Sequence, residues 1–202
     1  MNTAAPVLSI ENLGLELADS GVPLVSGVSL QIAPGEILGL VGESGSGKTL
    51  TALAVMRLLP AGIRTTGRIL FEGRDLLALP EAQMRALRGR SIGMVFQEPV
   101  AALNPVFTIG AQLVAAVRAH GQLGGRAARA RAVELLAGVG IPEPASRLDF
   151  YPHQFSGGMC QRVMIAMALA GGARLLLADE PTTSLDVTTQ DEIVRLLERL
   201  ST

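Results

Sequence analysis

Lys48 is the only lysine in the chain; every other cation among its seventeen Lys and Arg residues is arginine. It stands inside GESGSGKT, Gly42 to Thr49. A GxxxxGK[ST] loop wraps its backbone N–H groups around a β-phosphate, and a slim ammonium on a flexible stem reaches the β- and γ-oxygens. A planar guanidinium fork presents a different geometry, so arginine is not an equivalent there. The pattern therefore predicts a phosphate cradle built from Gly42, Glu43, Ser44, Gly45, Ser46, Gly47, Lys48 and Thr49.

Two further groups could act on such a phosphate. In ARLLLADE the apolar residues Leu175 to Ala178 precede Asp179 and Glu180, so a buried strand delivers two acids at its carboxyl end, where open α/β sheets bind ligands. An Asp in that place helps hold Mg²⁺, with the hydroxyl of Thr49 on the same ion. Glu180 is then available to polarise an attacking water as general base. In FSGGMCQRVMIAMALA, Ser156, Gly157 and Gly158 open an apolar helix. Their N–H groups and the serine hydroxyl form an anion site at the positive end of the helix dipole. An ordinary helix cap is the competing reading of Ser156.

The elements that must position these groups follow from periodicity. VLSIENLGLEL and VSGVSLQIA read as strands, and the apolar run ILGLV reads as a strand buried on both faces, leading into the loop. Lys48 to Leu59 reads as a helix, with Leu50, Leu53, Ala54 and Leu58 on one face and Pro60 as its stop. Strand, phosphate loop and helix in that order is the arrangement a P-loop fold requires. A strand near Gly67 to Glu72, a helix from about Pro80 and a strand SIGMVFQ ending at Gln97 follow. From Thr108 the pattern turns helical until ARLLLADE. Arg126, Arg129 and Arg131 read as a solvated helix surface rather than a basic patch.

With 202 residues and a net charge of −1, the chain has room for one large domain and no polybasic surface for nucleic acid or lipid. Cys160 is the single cysteine, so no internal disulfide or zinc site is expected, and a reducing cytoplasm is. The start, MNTAAPVLSIENLGLEL, lacks the features of a signal peptide. The longest apolar run, VMIAMALAGGA, is too short to span a bilayer. Membrane attachment would have to come through another polypeptide.

The order GESGSGKT, a strand ending in Gln97, FSGGMCQR, LLLADE and SLD resembles the nucleotide-binding subunit of ATP-binding-cassette (ABC) transporters. FQEPVAALNPVFTIG, YPHQFSGGMCQRVMIAMALA and DEPTTSLDVTTQ are similar to the ATPases of the peptide/opine/nickel uptake family. The resemblance implies an α/β P-loop fold with an N-terminal β-subdomain, a mixed or parallel core sheet and a helical subdomain at about 98–165, all within one domain over 1–202. It also implies ATP and Mg²⁺ as ligands. Gly42 to Thr49 would hold the triphosphate, Gln97 would meet the Mg²⁺ and the attacking water, Asp179 would support the metal, and Glu180 would be the base. Ser156, Gly157 and Gly158 would act in trans on ATP held by a second ABC ATPase subunit, identical or not, with Asp186 communicating across that interface. Transmembrane permease subunits and a separate substrate-binding protein would be partners, the chain lying on the cytoplasmic face of the inner membrane and driving uptake of peptides or nickel. The alternative is a non-transport ABC ATPase acting on nucleic acid or the ribosome.

Three departures qualify the resemblance. The family usually continues to a strand ending in a histidine that contacts the γ-phosphate, and this sequence ends at Thr202 before one, as a truncated domain would. His120 and His153 lie upstream and are no substitutes. Leu17 occupies the place of the N-terminal aromatic on which adenine often stacks, so base affinity would rest on apolar contact. Cys160 stands where these ATPases often carry arginine, and it reads as a small, half-buried packed residue rather than a redox group.

Overall fold

The computed structural model describes residues 5–121, 123–183 and 185–201, apart from the side chain of Val100. The first four residues, Gln122, Ser184 of the SLD segment and the terminal Thr202 lie outside the described residues. The chain divides into two compact units, one running to Arg88 and including Ser201, the other Gly89–Leu200. Both antiparallel and parallel sheets are present, with helices between strands, as a mixed α/β fold requires.

The first unit is built on strands β1 (Leu8–Leu17), β2 (Pro23–Ile32), β3 (Ile63–Phe71) and β4 (Arg74–Asp75), in the antiparallel order β2-β1-β3-β4. Leu8 and Ile10 of β1 and Ile69 and Phe71 of β3 enter the core by alternation, and a register shift at Asn12, left-handed at φ 49°, brings Leu13 and Leu15 to the core as well. Between strands lie the helices α1 (Lys48–Met56) and α2 (Glu81–Leu87). Helix α1 is shorter than the predicted Lys48 to Leu59. Arg57 adopts a left-handed conformation at φ 50°, and the N–H groups of Arg57 and Leu58 return to Ala54 and Leu53, a Schellman-type end that leaves Leu58 exposed. The freed carbonyls of Met56 and Arg57 accept from the guanidinium of Arg88, which also pairs with Glu81. That pairing holds the exposed Glu81 carboxyl below its ordinary range.

The run ILGLV is not a strand. Ile37 is 55% and Val41 94% exposed, and no strand pairs with this segment among the described residues. Strand structure is a property of a pair: without a ladder partner, an apolar run has neither its hydrogen bonds nor a sheet face to cover.

In the second unit β5 (Ile92–Val95) and β6 (Leu175–Ala178) run parallel, Ile92 opposite Leu175 through Val95 opposite Ala178. The fully buried β5, IGMV, stops two residues short of Gln97. The helical block comprises the short α3 (Pro99–Ala102), α4 (Ile109–His120), α5 (Gly125–Gly138), the short α6 (Pro144–Arg147) and α7 (Gly157–Ala168), and α8 (Val187–Ser201) closes the order. Thr108 caps α4, its hydroxyl accepting from the Ala111 N–H. Arg129 and Arg131 pair on the surface with Asp149 and Glu134 at 2.9 and 2.8 Å, as solvated helix residues do.

Leu113 on α4 and Leu136 on α5 are both fully buried in one apolar cluster with Val163 and Ile165 of α7. Truncating either to alanine removes buried methyl groups and leaves a cavity. Leu113→Ala or Leu136→Ala is expected to cost about 2–5 kcal/mol of folding stability, read from the urea midpoint.

Candidate functional site

GESGSGKT, the candidate phosphate loop, lies wholly in the first unit. Gly42 to Ser46 are exposed, and Gly47 forms the N-cap of α1 with φ 88°, a conformation for which glycine is suited. A Cβ on Gly47 would also strike Cγ2 of Val25 on β2, so the sheet and the loop fit only if this residue has no side chain. Thr51, buried one turn into the helix, donates its hydroxyl to the Gly47 carbonyl at 2.9 Å and ties loop to helix. Lys48 Nζ donates to the carbonyls of Gly42 and Glu43, both at 2.8 Å, so the ammonium arches over the concave side of its own loop. No acidic residue occupies the first turn of α1. Amides at the positive end of a helix, left-handed glycines and one cation suit an anion of several oxygens.

Leu17, at the end of β1, is 40% exposed, and Gly14, Leu15 and Val25 border an open cavity of about 240 Å³ on the same sheet.

The second unit carries the remaining groups. The ladder between β5 and β6 extends past Ala178, where the Asp179 N–H donates to the Val95 carbonyl at 2.9 Å. Asp179 is consequently buried, at 8% exposure. The next residue, Glu180, takes a left-handed conformation at φ 46° and turns its side chain out to solvent. Its Oε2 accepts from Gln97 Nε2 at 2.7 Å and from the Thr183 hydroxyl at 3.0 Å. Gln97 and Glu180, distant in sequence, thus meet at the carboxyl ends of two parallel neighbours. An exposed carboxylate fixed by two donors can take a proton from a water without reorienting.

Ser156 caps α7, its hydroxyl oxygen accepting from the Met159 N–H at 3.3 Å. Ser156 is therefore an ordinary helix cap whose hydroxyl accepts, and a hydroxyl that accepts can still donate its proton. Gly158 is buried where a Cβ would lie 2.5 Å from Thr189 Cγ2, while Gly157 faces Leu185. Asp186 precedes α8 and accepts from the Thr189 hydroxyl at 2.6 Å and the Thr189 N–H at 3.0 Å. Ser156, Gly157, Gly158 and Asp186 are thus brought to the adjoining starts of α7 and α8. Sequence reasoning passes over Thr183, Thr189 and Gln190; the signal for Thr189 is its place three residues after Asp186, the spacing of a helix cap. Thr49 belongs to the first unit, and Gln97 and Asp179 to the second.

The two bonds from Thr189 hold the Asp186 carboxyl below the usual aspartate range, the hydroxyl bond contributing most. A lowered folded-state pKa means that the cap stabilises fully above the ordinary aspartate value and loses this as pH falls through the lowered one. Asp186→Asn keeps a capping side chain that does not titrate. The melting-temperature difference between wild type and Asp186→Asn is expected to narrow as pH falls through that acidic window.

Cys160 is fully buried on α7, facing the Pro152 carbonyl at 3.6 Å, and burial pushes its thiol pKa up. It is a packed residue, less exposed than the half-buried position expected. Among the described residues no three His, Cys, Asp or Glu side chains group to hold a metal, and no helix is long and apolar enough to cross a membrane.

Residues 25–183 match the family described as ABC transporter. The chain belongs to that family. Its sequence is 50% identical to the peptidoglycan transport ATP-binding protein YejF of Agrobacterium fabrum over 98% of this chain and 37% of that protein. It is 47% identical to the dipeptide transport ATP-binding protein DppD of Escherichia coli over 95% of this chain and 59% of that protein. The chain thus spans between about a third and three fifths of the length of these relatives. A dimeric, post-hydrolysis ATP-binding cassette, MJ0796, bound to ADP and Pi, superposes with a TM-score of 0.79 at 28% identity, covering 96% of this chain and 82% of that one. This ABC chain accordingly shares the fold of its solved neighbours.

Proposed function

We propose that this chain is the ATP-binding part of an ABC importer, coupling ATP binding and hydrolysis to uptake of peptides through partner permeases. The observation that carries the reading is the Gln97–Glu180 contact at 2.7 Å beside buried Asp179, in a chain of this family that also holds a complete phosphate loop. The peptide class is drawn from the similarity to DppD and YejF, whose names refer to dipeptide and peptidoglycan transport.

In this reading residues 1–202 form one nucleotide-binding domain, with 98–165 approximately its helical subdomain. Gly42 to Thr49 bind the phosphates of ATP, Lys48 leaving its two loop carbonyls to meet the β- and γ-oxygens. Leu17 offers apolar contact to the base. The oxygens of Thr49, Gln97 and Asp179 are the hard donors that suit Mg²⁺. That ion keeps several waters and is held through one or two carboxylates plus phosphate, and Asp179 would supply the carboxylate. Bound Mg²⁺ would neutralise charge developing on the phosphate oxygens. Glu180, oriented by Gln97 and Thr183, accepts the proton of the attacking water. Ser156, Gly157 and Gly158 cover ATP held by a second cassette, and the exposed Asp186 reports across that interface. The chain is peripheral to the cytoplasmic face of the inner membrane, with a separate protein delivering substrate.

Reconstitution of the full-length protein with its permeases and binding protein tests this. Turnover of ATP is expected to rise when peptide-loaded binding protein is added and to vanish when a chelator removes Mg²⁺. Turnover indifferent to both would contradict the reading.

A further inference from the structure

The segment that carries Glu180 is held from behind by Gln190, the last residue of DEPTTSLDVTTQ, to which the sequence reading gives no role. Gln190, half-buried in the first turn of α8, donates from Nε2 to the Thr182 carbonyl at 3.1 Å and the Leu185 carbonyl at 3.0 Å. Its own N–H donates to the Asp186 carbonyl at 2.9 Å, which fixes the helix start to the same segment. Inside the turn, the Thr183 N–H returns to the Glu180 carbonyl at 3.1 Å and the Leu185 N–H to the Thr182 carbonyl at 3.3 Å. Thr183 then spends its hydroxyl on the Glu180 carboxylate.

Glu180 needs this support because its backbone is left-handed at φ 46°, a region disfavoured for a residue with a Cβ and kept only when the surroundings over-determine it. Helix α8 is a fixed base for the clamp: Glu192, two residues on, accepts from Arg162 Nη2 at 2.8 Å, and the same guanidinium donates to the Val139 carbonyl at 2.7 Å. Gln190 thereby links a helix anchored to the helical block with the turn that sets the direction of the catalytic carboxylate.

We infer that Gln190 is a positioning residue for ATP hydrolysis, holding the carbonyls of Thr182 and Leu185 so that Glu180 stays aligned with Gln97. This rests on the functional reading given above. It touches neither nucleotide nor water in that scheme, so its removal should slow turnover without weakening ATP binding.

The test compares wild type, Glu180→Gln and Gln190→Met in the full-length protein assembled with its partners, reading kcat, KM for ATP, ATP affinity and amide exchange. Methionine keeps the length and volume of glutamine and removes both donors. Gln190→Met is expected to lower kcat roughly tenfold to a hundredfold, the scale of a small misplacement of a catalytic group, with ATP affinity unchanged. The amides of Thr183 and Leu185 should exchange faster while those of β5 and α7 do not. Wild-type kcat in Gln190→Met beside an inactive Glu180→Gln would overturn the inference and leave the function standing. An equal loss of ATP affinity and global stability would also overturn it, as the mark of a merely structural role. Robust turnover in Glu180→Gln would instead defeat the functional reading itself. Should Gln190→Met fail to fold, Gln190→Glu, whose carboxylate cannot donate to either carbonyl, is read against the same outcomes.

Discussion

Replacing Lys48 by arginine is expected to weaken ATP binding about 10- to 100-fold, although the charge is kept and arginine serves everywhere else in the chain. The ammonium sits within 2.8 Å of two loop carbonyls, Gly42 and Glu43, in a loop only six residues deep from its first glycine to the lysine. A guanidinium is wider and planar, and its fork cannot occupy that point without pushing the loop open. The lost interaction is a charge-assisted hydrogen bond to phosphate, about 1.5–3 kcal/mol, which converts to the stated loss in affinity. Calorimetric titration with ATP measures it; unchanged affinity in Lys48→Arg would remove the reason for the single lysine.

Gly158→Val should abolish turnover while leaving binding at the phosphate loop intact. A Cβ at this position already lies 2.5 Å from Thr189 Cγ2, and valine adds two more methyl groups to the contact. Either α7 or α8 must shift at its first turn, carrying with it the serine hydroxyl of one and the Asp186 cap of the other. Overpacking of this kind costs about 1–3 kcal/mol, small enough for the protein to stay folded. The expected result is a variant with near wild-type ATP affinity and no ATP-driven closure of paired cassettes. Retained turnover would show that the Ser156–Gly158 segment takes no part in the reaction.

Much of the fold, and the placing of the candidate site residues, is legible in the sequence because the motifs are local. A phosphate loop is specified by its own glycines and lysine, and β1, β2, α4, α5, α7 and the acidic end of β6 follow from periodicity within each segment. Pairing is not legible in that way. ILGLV has the composition of a buried strand, yet it is exposed and has no ladder partner among the described residues, since the run itself does not encode its partner. The resemblance implies separate roles for Gln97 and Glu180 and no contact between them; nothing in either segment specifies a carboxamide 2.7 Å from a carboxylate 83 residues away. Gln190 closes the segment DEPTTSLDVTTQ, yet its role is not legible, because clamping two backbone carbonyls leaves no signature in sequence: a helix residue four positions past an Asp cap reads as solvated.

The turnover number of Glu180→Gln, measured beside its ATP affinity, bears most directly on whether this chain hydrolyses ATP as described. Glutamine preserves the shape and can still accept from Gln97 and Thr183, so the site should keep its geometry and lose only its basicity. The predicted result is a fall in kcat of about 10²–10⁴, the usual contribution of a general base, with ATP binding unchanged. Turnover within a few-fold of wild type would contradict it, and the carboxylate held by Gln97 and Thr183 would need another purpose.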